Sequence, residues 1–234
     1  MVKAAATSVP QGTRDLILAA AIQEFAGKGF DGAKVDRIAA EAGVNKAMLY
    51  YHFHNKAALF LEILREQFSS VADAVEAVRS GGGPPVDQLR AFTRAIARQA
   101  LARPHFPRMW LREIADGGRH VDASVIMQFR RVLTTLSAIL ADGQRAGVFR
   151  KADPFVVQIS LVAPLMFFAA SAPLRERAGQ LAPPSPSMPG LDAVIEHVQA
   201  ATLSVLSVDV PPARARFGGQ AQPRTAPTSR RPSR

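Results

Sequence analysis

Residues 44–56 read VNKAMLYYHFHNK and crowd together groups that can meet a polyanion. Lys46, Tyr50, Tyr51, His52 and Lys56 carry N–H or O–H donors of the kind that grip phosphate oxygens. Ala47 and Met48 are small or slender, so a helix bearing them can bring its backbone close to base edges in a major groove. The competing reading of such a face is a solvated surface, because short motifs often match by chance. Chemistry of other kinds lacks its patterns. The five histidines, His52, His54, His105, His120 and His197, include no HExxH pair. There is no GxSxG, no phosphate-cradling loop with a lysine and no Rossmann glycine pattern. The chain has no cysteine, hence no disulfide and no thiol nucleophile. The expectation is a protein that is not an enzyme and uses no cofactor or metal.

Helices must position these groups, since no strand-like alternation and no solenoid repeat is present. Leu18, Ala21, Ile22 and Phe25 recur at helical spacing, with Thr13 as a cap and Gly29 as a left-handed stop. Val35, Ile38, Ala39 and Ala42 repeat the pattern over 35–42, and Gly43 ends it. Asn45 caps a third helix over 46–52, whose Leu49 and Phe53 face inward. Two short helices joined by a glycine-bearing turn form a helix-turn-helix. Asn55 caps a fourth helix that runs to about 78, and GGGPP (81–85) breaks it. Further helices are expected over 86–102, 107–116, 121–146, 154–177 and 191–208, with a loop at APPSPSMPG (182–190). The fold class is therefore all-α.

Charge adds less than the pI suggests. The formal net charge is +10, but Arg214, Arg216, Arg224, Arg230, Arg231 and Arg234 stand in a segment without acids from Pro211 onward. That segment, poor in large apolar residues, reads as a disordered basic tail. The longest apolar stretch, ISLVAPLMFFAASAPL (159–174), is short for a membrane span and holds two prolines, so it reads as buried protein helix. With no basic-then-apolar leader and no cysteine, a cytoplasmic protein without a membrane partner is expected.

The ordered features TR…ILxAA…F…KG, IAxxAGV and LYYHFxNK in residues 13–60 resemble the DNA-binding module of the tetracycline-repressor (TetR/AcrR) family of bacterial transcription regulators. Outside that run the likeness rests on helical character, length and phrases such as LREIADGG (111–118) and GQRAGVFRKADP (143–154). The resemblance implies a DNA-binding domain over 1–56, an effector-binding and dimerisation domain over 57–210, and the tail 211–234. It places Tyr50, His52 and Lys56 at phosphate contacts and Lys46, Ala47 and Met48 at base-reading positions, with Tyr51 on the same outer side. Lys34 falls where the family often has a Ser or Thr cap, and so becomes a candidate phosphate contact.

In the larger domain, two helices carry apolar residues on more than one side. Phe155, Ile159, Val162 and Met166 form one stripe, and Leu191, Val194, Ile195, Val198, Thr202 and Val205 another. Both are expected to build a four-helix interface in a homodimer. Phe92, Ile96, Trp110, Met127, Phe129 and Phe167 lie on helices that surround the family's ligand cavity and suggest an apolar or aromatic effector. Arg94, Arg98, Arg112 and Glu113 are candidate polar partners. The resulting expectation is a ligand-responsive repressor that releases a near-palindromic operator when a small molecule binds. The alternative is a sequence-tolerant architectural DNA binder aided by the arginine tail.

Overall fold

The computed structural model describes residues 12–181 and 189–208, so the basic tail and most of the 182–190 loop lie outside the described residues. The described residues form ten helices: α1 (Thr13–Gly32), α2 (Val35–Glu41), α3 (Lys46–Phe53), α4 (Lys56–Ser80), α5 (Pro85–Ala102), α6 (His105–Ala115), α7 (Ala123–Arg145), α8 (Pro154–Ala170), α9 (Ala172–Leu181) and α10 (Leu191–Leu206). An isolated bridge between Phe149 and Ser207 ties the chain after α7 to the chain after α10.

Apolar burial explains the order of layers. α1, α2 and α3 bury Ile17, Ala21, Phe25, Ile38, Leu49 and Phe53 against the start of α4. That core does not stop at the module. It continues through Phe60 and Leu64 of α4 to Phe106 and Met109 of α6 and Met166 of α8. A second core joins α4, α5, α7, α8 and α10 through Val75, Phe92, Leu136, Ile139, Leu161 and Val198. α7 alone among the described helices is long and apolar enough to cross a membrane. It packs instead against α4, α5 and α8, and its Arg131 bridges Asp73 and Glu76 of α4 at 2.6 and 2.5 Å.

Local chemistry sets the helix ends. Gly12, not Thr13, occupies the N-cap of α1; its extended backbone leaves its carbonyl to accept from the amides of Asp15 and Leu16, and no side chain caps the helix. Gly29 has φ +71° and ψ 178°, and the chain makes one further turn to Gly32 before α1 ends. The expected helix over 154–177 is two helices, bent by 50° at Ser171. Pro173 accounts for the break: it has no N–H to continue the ladder, and its ring excludes the carbonyl four residues back. Arg175 folds back to donate to the Phe168 carbonyl at the break, and its guanidinium lies 3.8 Å from the Phe168 ring centroid.

Candidate nucleic-acid interface and effector cavity

The turn between α2 and α3 is held by backbone bonds. Gly43, at φ +67°, sends its amide to Ala40, and the Val44 amide reaches the Ala39 carbonyl at 3.0 Å. Asn45 then caps α3, its Oδ1 accepting from the Met48 amide at 2.7 Å. Leu49 and Phe53 are buried, which fixes the rotation of α3. Lys46, Ala47, Met48, Tyr50 and Tyr51 are consequently exposed, and His52 is half-buried. Tyr51 is 78% exposed, with only the His52 ring edge to face at 5.3 Å beside it, an unusual position for so large a ring. Lys34 occupies the N-cap of α2 without a side-chain cap; its amide donates to Glu24 at 3.2 Å and its carbonyl accepts from the amides of Arg37 and Ile38.

Two of the lysines have protein partners. Lys46 Nζ lies 2.8 Å from Asp36, whose hydrogen bond and charge raise the lysine above its ordinary pKa. The pair is exposed and therefore weak, so a phosphate can take the place of Asp36 at little cost. Lys56 is half-buried, with its ammonium 4.7 Å from the Phe30 ring centroid and 3.4 Å from the Asp31 carbonyl. It ties α4 to the end of α1 while leaving donors for a further partner.

Five helices form a small cavity of about 50 Å³, lined by Phe68, Val71, Ile96, Ala100, Phe106, Trp110, Phe129, Val132, Gln158, Val162 and Met166. Phe68 meets Phe106, Trp110 and Phe129 edge to face, with ring centroids 5.1, 4.7 and 6.3 Å away. Of the residues expected from sequence, Ile96, Trp110 and Phe129 line this cavity. Phe92 is buried in the neighbouring core and does not reach it. Met127 and Phe167, 57% and 68% exposed, point away from it. Gln158 was not among the expected residues, although an amide inside the apolar run PFVVQISLV is a signal the sequence does carry. A larger open groove of about 480 Å³ lies between α5 and α10, with Arg90, Arg94 and Arg98 facing Asp192 and Glu196.

The surfaces of α8 and α10 also depart from expectation. Phe155 and Ile159 are about half exposed, at 49% and 51%, and Val205 is 67% exposed. Val162 and Met166, expected on the same outer stripe, instead line the cavity. Ile195, Val198 and Thr202 are buried against α5 and α8 within this chain, and Leu191 and Val194 are half-buried beside them. The i, i+3, i+4 stripe of α10 is thus its inner face, and periodicity alone could not tell a chain's own core from a partner's.

The cavity and the helix-turn-helix share one wall. Phe106 and Trp110 on α6 line the cavity, and the same helix packs on α1. The Arg112 side chain lies so close to Gly29 that a Cβ there would come within 2.8 Å of its Cδ. Beyond α6, the His120 ring sits 3.9 Å from the Phe30 ring. His120 Nδ1 and backbone amide engage the buried Glu113 at 3.0 and 2.8 Å. Arg119 bridges Asp31 at 2.6 Å, and Gln23 lies 3.0 Å from His105 Nε2. Arg112 and Glu113, weighed from sequence as ligand partners, belong to this junction. Arg94 and Arg98 belong to the open groove.

An exposed helix-turn-helix, wedged against a helical domain with a small apolar cavity, is the build of a DNA-binding regulator. Residues 17–63 match the model for bacterial regulatory proteins of the tetR family, and residues 85–180 match that for the tetracyclin repressor-like C-terminal domain. The chain is 30% identical over 161 residues to the HTH-type transcriptional repressor NicS of Pseudomonas putida, covering 67% of this chain and 74% of that one. It is 28% identical over 170 residues to the HTH-type transcriptional repressor SCO4008 of Streptomyces coelicolor, covering 72% and 83%. A solved tetR-family regulatory protein from Rhodococcus RHA1 superposes with a TM-score of 0.69 over 85% of this chain and 98% of that one; at 19% identity this likeness speaks for the fold. The chain belongs to the TetR family and is a DNA-binding transcriptional regulator.

Proposed function

We propose that this chain is a homodimeric repressor that releases its operator when a small, neutral, mostly apolar molecule enters the α4–α8 cavity. The carrying observation is that α6 presents Phe106 and Trp110 to the cavity and Arg112 and Glu113 to the junction with α1. A cavity of about 50 Å³ is too small for a drug-like ligand, so entry must push the walls apart. Trp110, Phe129 and Val162 are only half-buried and offer the least resistance. Displacing α6 moves the contact that sets the angle of α1, and with it α3. The two α3 helices of a dimer must sit about 34–36 Å apart to read successive major grooves of a near-palindromic site. In the ligand-free state Lys46, Ala47 and Met48 read bases, while Lys34, Tyr50, Tyr51, His52 and Lys56 hold the phosphate rim. NicS and SCO4008, both named as repressors, agree with this direction of control, which belongs in the cytoplasm with the DNA.

The ligand acts only through its preference for the splayed state. Moving the population from about 1:99 to about 99:1 needs roughly 10⁴-fold tighter binding to that state. The test is operator binding by fluorescence anisotropy, on a site recovered by in vitro selection from random duplexes. Changing Lys46, Tyr50 and Lys56 together to alanine is expected to abolish specific binding in a folded protein. Undiminished binding by that variant, or a selected site with no two-fold symmetry, overturns the proposal.

A further inference from the structure

The α8 segment that crosses the cavity, PFVVQISLVAPLMFFAA, holds two polar uncharged side chains, and they differ in how they are satisfied. Ser160 is exposed and donates to the Val156 carbonyl at 2.9 Å. Gln158 is only 4% exposed, lines the cavity, and its Oε1 accepts no hydrogen bond among the described residues. A buried amide oxygen without a donor is costly and uncommon, so its presence in an otherwise apolar wall calls for a partner. Trp110 carries the one donor among the other lining side chains, and no hydrogen bond joins it to Gln158. Water is held poorly there, since it needs two to four polar neighbours and the lining side chains offer only the Gln158 amide and the Trp110 N–H.

Resting on the effector reading above, we propose that Gln158 is the specificity-determining residue of the cavity. Its ligand is a neutral, planar aromatic molecule bearing one hydroxyl or ring N–H donor. Neutrality follows because no charged side chain of either sign lines the cavity, and an unpaired buried charge would be prohibitive. Aromatic shape follows from Phe68, Phe106, Trp110 and Phe129, whose mutual edge-to-face packing an entering ring can extend. Planarity follows from size: a cavity of roughly 150 Å³ is known to hold benzene, so the 50 Å³ here must widen, and a flat guest asks for the least widening.

Phenol and toluene form a matched pair of probes, equal in shape and differing in one O–H. Trp110 is the only tryptophan and lines the cavity, so its emission reports binding directly. Both probes are titrated into the full chain and into Gln158→Leu, with circular dichroism confirming the fold; Gln158→Met, unbranched and close in volume, stands in should the leucine variant misfold. The expected result is saturable binding, with the preference for phenol over toluene at least tenfold lower in the variant than in the parent chain, the loss of one buried hydrogen bond. Saturable binding with an unchanged preference overturns the role of Gln158 and leaves the cavity as the effector site. Absence of saturable binding for both probes in both proteins overturns the cavity reading itself and this inference with it.

Discussion

His54 shows how a single residue can hold strain in the DNA-binding module. It closes α3 at φ +58°, ψ −50°, the only described non-glycine residue with positive φ. The Asn55 amide, 2.5 Å from the Phe53 carbonyl, closes a three-residue turn around it. This hand of γ-turn is rare and strained for a residue with a Cβ. The turn aims Asn55 so that its Oδ1 caps α4 through the Ala58 amide at 2.8 Å. Replacing His54 by glycine removes the Cβ clash, an effect partly offset by the wider freedom of glycine in the unfolded chain. The variant is expected to be more stable by about 1 kcal/mol, seen as a higher urea midpoint at unchanged m-value. The sequence showed His54 at the end of a helix, but not this conformation. Backbone dihedrals at a junction are set by the two helices being joined, and no local pattern encodes them. By contrast Asn45, Leu49 and Phe53 were legible, because capping and burial follow from residue type and helical period alone.

At the scale of elements, α6 is where the sequence was least informative. Its apolar residues Phe106, Met109 and Trp110 mark a helix, yet nothing in their spacing says that one side meets a cavity and another meets α1. Long-range pairs such as Phe30 with His120 and Asp31 with Arg119 join residues far apart in the chain and leave no periodic trace. The stripes of α8 and α10 divide in the structure: Met166, Ile195, Val198 and Thr202 turn into this chain's own core while Phe155, Ile159 and Val205 stay exposed, since amphipathicity gives a face and not its partner. The same α1–α6 contact has a pH signature. Burial, with the nearby Arg108 charge adding to it, holds His105 below its ordinary pKa of 6.5. The unfolded chain therefore takes up a proton that the folded chain resists. The stability from this site is fully present above about pH 6.5 and is lost as pH falls through the depressed native value. Acidification from about pH 7.5 to about pH 5 should lower the urea midpoint more in the parent chain than in His105→Gln, which keeps a polar group near Gln23 and cannot titrate. Equal falls in the two proteins would remove His105 from the account.

For the molecule as a whole, the exposed side of α8 decides whether the proposed route from cavity to DNA has two arms or one. Phe155, Val156, Ile159 and Phe167 stand exposed along one side of that helix, with Val205 exposed on α10 beside it. Contiguous apolar surface of this kind on a monomer marks an interface. A two-fold axis through it also supplies the second α3 that a palindromic site needs. The residues that remain for a second chain are thus fewer than the sequence stripes suggested, because Ile195, Val198 and Thr202 are already committed inside. Placing two charges at the surviving positions, Phe155→Glu and Ile159→Glu, leaves this chain's own core untouched, since both side chains are about half exposed. In a dimer each glutamate would be buried unpaired against its symmetry mate, at a cost of several kcal/mol. Sedimentation is expected to show monomers at micromolar concentration, with thermal unfolding of the protomer retained. Operator affinity should fall at least a hundredfold, because one helix-turn-helix then binds without its partner's contacts. A double variant that stays dimeric would move the axis off α8, and full operator affinity from a monomer would show that one α3 suffices.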